Sequence, residues 1–251
     1  ALALLLPFTG RACRTHAGAV RRHWRWVLAL GATGIAVFHT TVYLALTLTT
    51  ATNALLVLAL APVAILIGSA LTGASRPGRL QWAGSGVSLI GAVVLITRAD
   101  AEVLRALAVN AGDLWMLAAV VIWAAYTLLL RQRPAELPPT VTLAASMGLG
   151  AALMLPVAAL ALPSAHLVLG PGTLGAMAYI VVFPSVVAFW LWGYGVGRIG
   201  PERAGQFVHL MPIFGPVLAM VVLGERIAGA QALGGLVVLL GIAAVVWGSR
   251  R

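Results

Sequence analysis

Gln206 and His209 stand three residues apart within Ala204 to Leu223, a stretch whose one ionisable side chain is the histidine. Residues at that spacing share one face of a helix. His39 and Tyr43 lie four apart within Trp26 to Thr47, Trp190 and Tyr194 four apart within Leu174 to Val196, and Trp123 and Tyr126 three apart within Leu114 to Leu130, while Asn53 opens Asn53 to Thr72. Amide, imidazole, phenol and indole groups donate and accept hydrogen bonds and offer aromatic faces without a fixed charge. Such a set suits recognition of a neutral or zwitterionic small molecule. Each residue also has a plain structural alternative, as a buried histidine bonded to a neighbouring helix or an aromatic anchor at an interface. Their alignment at similar depth favours a shared water-filled cavity.

Catalytic chemistry has little to work with. No Asp or Glu falls in the middle of an apolar stretch; Asp113 and Glu225 sit at ends, and Glu136 and Glu202 read as loop residues, so no carboxylate relay is visible. The single cysteine, Cys13, excludes an internal disulfide and a cysteine metal cluster. No nucleophile stands beside a base, and no histidine set has metal-ligand spacing. An integral-membrane enzyme acting on a lipid-linked substrate would need such a cluster, so it is the weaker alternative, with a non-transporting membrane subunit. No enzyme activity, cofactor or metal is expected.

The elements that must position these residues are membrane helices. The chain is 61% hydrophobic and 9% charged, with a mean hydropathy of +1.02, whereas soluble domains are about a quarter charged. Eight stretches of membrane-spanning length follow: Trp26 to Thr47, Asn53 to Thr72, Leu80 to Thr97, Leu114 to Leu130, Val141 to Leu162, Leu174 to Val196, Ala204 to Leu223 and Ile227 to Trp247. Turn signals separate them at Arg76-Pro77-Gly78-Arg79, Pro138-Pro139, Pro163-Ser164, Gly170-Pro171-Gly172 and Gly200-Pro201. His39, thirteen residues into its stretch, lies about 20 Å along a helix rising about 1.5 Å per residue.

The sequence also repeats. Pro62, Arg76, Gln81, Gly84, Val87, Leu89 and Gly91 recur 150 residues later as Pro212, Arg226, Gln231, Gly234, Val237, Leu239 and Gly241. Five spans fill one period, so the two copies enter the membrane in opposite directions, the build of many secondary transporters. Residues 1–98 form a first repeat, incomplete at its front, and 112–251 the second. The period predicts ten helices in a full-length protein, with the first helix and most of the second absent here and Ala1 to Pro7 as the tail of the second. Pro62 and Pro212, in mid-helix, predict matched hinges. Gly84 with Gly91, Gly234 with Gly241, and Ala144, Gly148 and Ala152 form small-residue faces for close helix packing. Gly193, Gly195 and Gly197 alternate by two and make no dinucleotide motif.

All 16 basic residues are arginines, giving a net charge of +10. They fall between the spans, which excludes a nucleic-acid face and reads as topological charge. With the Arg11 to Arg25 loop cytoplasmic, thirteen arginines collect on that side and only Arg98, Arg105 and Arg226 on the other. The C-terminus is then cytoplasmic.

Ala204 to Gly241, with Leu210-Met211-Pro212, Leu223-Gly224-Glu225-Arg226, Gln231, Gly234 and Gly241, resembles the EamA domain of the drug/metabolite transporter superfamily. The first half is similar from Tyr43 through Ala54, Pro62, Gln81, Gly84 and Gly91, as is Trp123-Ala124-Ala125-Tyr126 at the head of the second. The resemblance implies an all-α ten-helix bundle of two inverted five-helix repeats, a central cavity, and transport of small metabolites. Ser75 replaces the glutamate of the second copy, Glu225, which is expected to cap the last helix. The resulting expectation is an exporter of amino acids or their analogues, working by alternating access in a bacterial cytoplasmic membrane, with the lipid bilayer and its cargo as partners.

Overall fold

The computed structural model describes residues 1–105, 110–161, 170–223 and 228–248. Glu225, Arg226, Arg250, Arg251 and the Pro163-Ser164 turn lie outside the described residues. Among the described residues there is no strand, and eight helices are long and apolar enough to cross a bilayer. These spans, numbered in chain order, are Trp24–Leu48, Ala51–Leu71, Arg79–Thr97, Ala111–Arg131, Pro139–Leu160, Pro171–Ile199, Pro201–Val222 and Gly229–Gly248. They follow the expected stretches closely, because uninterrupted apolar length is the strongest signal a sequence carries.

Local chemistry sets their ends. Gln81, third residue of the third span, accepts the Gly78 backbone N–H through Oε1 at 2.8 Å. Gln231 does the same for Ala228 at 3.0 Å. The repeated glutamine is thus a helix-start device, its amide satisfying a backbone donor that the first turn leaves unmet. Prolines open the sixth and seventh spans, where the missing N–H costs no helical bond. Gly200, just before the seventh, has φ +82°, a turn that a side chain would strain.

Two expectations about loops change. The Arg11 to Arg25 loop is helical, in the segments Leu2–Thr15 and Ala17–Arg22, since alanine and arginine are good helix formers. Glu202 is not a loop residue; it lies in the first turn of the seventh span and is buried.

The prolines act differently from mid-helix kinks. The second span stops at Leu58 and resumes at Ala61, with Pro62 in the first turn of the new helix. Around the gap the Leu60 N–H bonds the Val57 carbonyl, and regular bonding resumes with Ala64 to Leu60. The seventh span tightens to a 3-10 turn over Phe207–Leu210, directly before Pro212. Subtracting 150 maps that turn onto residues 57–60, so both copies break at the same place. A second matched irregularity is a π-helical segment at Ala32–Ala36 in the first span and Val181–Val187 in the sixth, the latter around Pro184, which cannot donate a backbone bond.

The chain divides into two compact units, Ala1–His39 with Leu129–Arg198, and Thr40–Leu128 with Ile199–Arg251. Each unit therefore draws on both sequence repeats.

In the first unit, the fifth span lies against the beginning of the first. A methyl group on Gly31 would stand 2.7 Å from the Ser146 carbonyl oxygen, and one on Gly150 2.8 Å from the Gly31 carbonyl oxygen. The close approach thus belongs to Gly150; Gly148 of the expected stripe meets only the Leu2 side chain, at 3.8 Å. Val27, Leu137 and Val141 are buried beside it. Arg22 reaches Glu136 at 3.1 Å, joining the helix end before the first span to the connection between the fourth and fifth, which alternating spans place on one side.

In the second unit, the third and eighth spans run antiparallel along a glycine seam. A methyl on Gly84 would stand 2.8 Å from the Gly241 carbonyl oxygen, and one on Gly91 2.8 Å from that of Gly234. Gly91 also faces the Val238 backbone nitrogen, as Gly241 faces that of Ser88. Adding 150 to one member of each contact and subtracting it from the other returns the same set. That exchange is the mark of a local two-fold.

Candidate functional site

A buried polar cluster of the second unit gathers around the matched breaks. His209 occupies the 3-10 turn of the seventh span and is fully buried. Its Nε2 lies 2.7 Å from the Ala59 carbonyl oxygen, in the gap of the second span, and its Nδ1 lies 2.7 Å from Ser88 Oγ on the third. A carbonyl can only accept, so Nε2 carries the proton and the Ser88 hydroxyl donates to Nδ1 of the neutral ring. Ala59 is the residue that the 150-residue period pairs with His209. The histidine therefore rests on its own repeat mate, and the break in one copy supplies the acceptor for the side chain of the other.

Gln206, three residues earlier, is also fully buried. Its Nε2 donates to Ser85 Oγ at 3.3 Å. Its Oε1, and Ser69 Oγ on the second span, are buried with no hydrogen-bond partner among the described residues. Nearby, the Ser75 hydroxyl donates to the buried Glu202 carboxylate.

The other candidates are dispersed. Asn53 donates through Nδ2 to Asp113 Oδ2 at 3.4 Å, in a network at the helix ends. The Thr49 hydroxyl donates to Asp113 Oδ1 at 2.6 Å, and the Asn110 backbone N–H to Asp113 Oδ2 at 3.1 Å. Trp123 and Tyr126 lie against each other at 5.3 Å, with Tyr126 buried. Tyr43 is 58% exposed.

In the first unit, His39 donates from Nδ1 to the Ile35 carbonyl at 2.9 Å and stacks on Phe189 with ring centroids 6.0 Å apart. Phe189 is its repeat mate, so this unit too sets matched residues in contact. Trp190 and Tyr194 are exposed and stack at 5.9 Å, with the Arg198 guanidinium 5.3 Å over the Tyr194 ring. Sequence reading had passed over Ser85, Ser88 and the Ala59 carbonyl. A signal was present: the two serines share the three-residue spacing of Gln206 and His209.

The sequence profile of the EamA-like transporter family matches residues 1–97 and 110–247. The chain belongs to the EamA-like transporter family. Membership makes this EamA-like chain a multi-pass membrane transporter and sets the enzyme alternative aside. It is 25% identical over 219 residues to an uncharacterized transporter of Archaeoglobus fulgidus, covering 87% of this chain and 75% of that one. It is 28% identical over 225 residues to a probable terminal-alkyne amino-acid exporter of Streptantibioticus cattleyicolor, covering 88% and 71%. A solved crystal structure 25% identical to it superposes with a TM-score of 0.72 over 100% of this EamA-like chain and 88% of the other.

The prolines of this EamA-like transporter offer a direct test. Pro212→Ala supplies an N–H that can bond the Val208 carbonyl and carry the helix through the 3-10 turn. The expected result is severalfold slower turnover in proteoliposomes at unchanged membrane insertion, and Pro62→Ala should act in the same direction. Unchanged turnover in both would make the prolines packing elements only.

Proposed function

We propose that this transporter is a secondary exporter of small neutral or zwitterionic metabolites, such as amino acids or their analogues, working by alternating access. The observation that carries this reading is the pair of matched helix breaks, with the His209 side chain of one copy bonded to the opened backbone of the other. Broken spans expose backbone groups at bilayer depth and are tolerated only where protein or an aqueous cavity satisfies them. In the conformation described here, His209, Ser88 and the Ala59 carbonyl satisfy one another. Movement at the breaks would release hydrogen-bonding groups to cargo.

His209 and Gln206 are then the leading cargo contacts. Within the second unit Tyr43 supplies aromatic surface, Trp123 and Tyr126 support it, and Asn53 acts at a helix end; within the first unit His39, Trp190 and Tyr194 are the proposed cargo-facing rings. The absence of a mid-span carboxylate among the described residues favours cargo without strong net charge. The relative named a probable terminal-alkyne amino-acid exporter supports the cargo class and the direction.

The assay is counterflow of radiolabelled leucine, phenylalanine, threonine, glutamate and lysine in proteoliposomes of the purified protein. Exchange of at least one neutral amino acid, with little of the charged pair, is expected. No exchange of any neutral amino acid, or exchange of the charged ones alone, would overturn the cargo assignment.

Orientation is proposed from the arginines, with the C-terminus in the cytoplasm of a bacterium. The contacts Arg22 with Glu136 and Ser75 with Glu202 support the alternation, since each joins helix ends or connections assigned to the arginine-rich side. Reporter fusions after Arg79, Arg133 and Arg251 are expected to read cytoplasmic, and fusions after Arg105 external. Reversal at any two of these sites would refute the orientation.

A further inference from the structure

We propose that His209 is a proton-binding site, and that proton uptake at its Nδ1 loosens the two matched helix breaks. The use of this site in transport rests on the reading above; its existence does not. In the neutral ring, Nε2–H is committed to the Ala59 carbonyl at 2.7 Å and the Nδ1 lone pair accepts from Ser88 at 2.7 Å. A proton delivered from water forms an N–H bond at Nδ1. The Ser88 hydroxyl must then turn from donor to acceptor, sending its own hydrogen to a backbone carbonyl one turn back on the third span, a bond that serines in helices readily make. No covalent bond in the protein breaks, and the ring gains one positive charge.

That charge has nothing to pair with. The elements packed against the 3-10 turn are the second half of the second span, the third span, the eighth span and the flanking parts of the seventh. Between them they carry three ionisable groups among the described residues: Arg79 at the start of the third span, and Glu202 with Arg203 at the start of the seventh. Glu202 is seven residues from His209, about 10 Å along a helix axis, and is already engaged by Ser75. An unpaired charge enclosed by apolar helices and glycine backbone is costly, and it is relieved when the site hydrates. The His209 Nε2–H bond to the Ala59 carbonyl spans the gap in the second span and survives protonation at Nδ1, so the driving force for opening is the cost of burying the charge and not the loss of that bond. A charged ring therefore favours a state in which that gap opens to water, which turns proton occupancy into a conformational bias.

The experiment is amide hydrogen exchange by mass spectrometry on the full chain in nanodiscs, at pH 8 and pH 5.5, with rates corrected to the intrinsic rate at each pH. Segments spanning Ala59 to Ala64 and Phe207 to Ile213 are expected to lose at least tenfold in protection on going to pH 5.5. Gly84 to Gly91, on the glycine seam, should keep its protection. His209→Gln, which retains a donor for the Ala59 carbonyl but cannot titrate in this range, should abolish the pH response. If that variant does not assemble, the ¹⁵N imidazole signals of the native protein carry the test, and they should show Nδ1 gaining a proton under the condition in which the breaks lose protection. Protection at the breaks that is the same at both pH values, or a response that survives in His209→Gln, would overturn the proposal. Because no cargo is present, exchange behaviour as expected without amino-acid counterflow would fail only the cargo reading, and the reverse outcome would fail only this one.

Discussion

Gly241→Leu is expected to leave no folded transporter. A single methyl at that position would stand 2.5 Å from the Ser88 backbone nitrogen and 2.6 Å from the Gly84 carbonyl oxygen. Both are main-chain atoms in the middle of a rigid helix, so no rotamer change relieves the overlap. The third and eighth spans would have to separate along their length, uncoupling the tightest contact of the second unit. Overpacking of a core typically costs about 1–3 kcal/mol; a leucine driven into backbone falls in the exceptional class above about 4 kcal/mol. In a fluorescent-protein fusion analysed by size exclusion in detergent, the monodisperse peak should disappear. Gly91→Leu should do the same, since a methyl there would stand 2.6 Å from the Val238 nitrogen. Gly86→Leu, on the same third span with open space around it, should retain the peak. Loss of all three would mean that leucine burdens this helix wherever it is placed, and that the seam is not special.

The second large effect lies at the other end of the same unit. Asp113→Ala removes the acceptor of the Thr49 hydroxyl, the Asn53 amide and the Asn110 backbone N–H together. Asn110 opens the fourth span and accepts the Asp113 N–H through Oδ1 at 3.1 Å, so the substitution also dismantles a reciprocal helix start. Losing a cap costs about 1 kcal/mol, and stranding partly buried donors adds about 1–3 kcal/mol. The expected sum, about 2–4 kcal/mol, corresponds to a fall in melting temperature of roughly 5–15 °C at this chain length. Asn53→Ala removes one long bond of 3.4 Å and should cost far less. A melting temperature unchanged by Asp113→Ala would show that the network does not brace the helix ends. It would return Asn53 to the cargo-binding role.

What the sequence could disclose follows from the range of the interactions involved. The eight spans were legible because a helix in hydrocarbon is specified locally, residue by residue. The stack of Trp190 on Tyr194 was legible for the same reason, since an i,i+4 spacing fixes the contact within one helix. Pro62 announced a disruption but misplaced it. A proline deprives the carbonyl four residues earlier of its donor, so the break is seen at Ala59 and Leu60 rather than at the ring itself. His209 was harder still. An imidazole at that depth reads equally well as lining water or as pinned in protein, and the group that pins it is a backbone carbonyl 150 residues away, freed only because another helix is interrupted. The π-helical segments left no clear trace around Ala32, where neither proline nor charge marks the bulge. Gln81 and Gln231 were conspicuous as a repeat, yet their task emerged only from the geometry of two helix starts.

The exchanged contacts of the glycine seam bear on descent. A surface that meets its own copy head to tail is one that two identical chains could share, so a protein half as long could assemble through the same seam as an antiparallel pair. In such a pair every substitution strikes the interface twice, and a tolerable change must be tolerable in both places at once. Joining the halves in one chain lifts that restriction. Ser88 and Val238 occupy equivalent places along the seam, yet only the serine reaches a histidine; His209 and Ala59 are likewise equivalent, and one lends a ring where the other lends a carbonyl. The division of labour at the breaks is an asymmetry that a strictly symmetric ancestor could not have encoded.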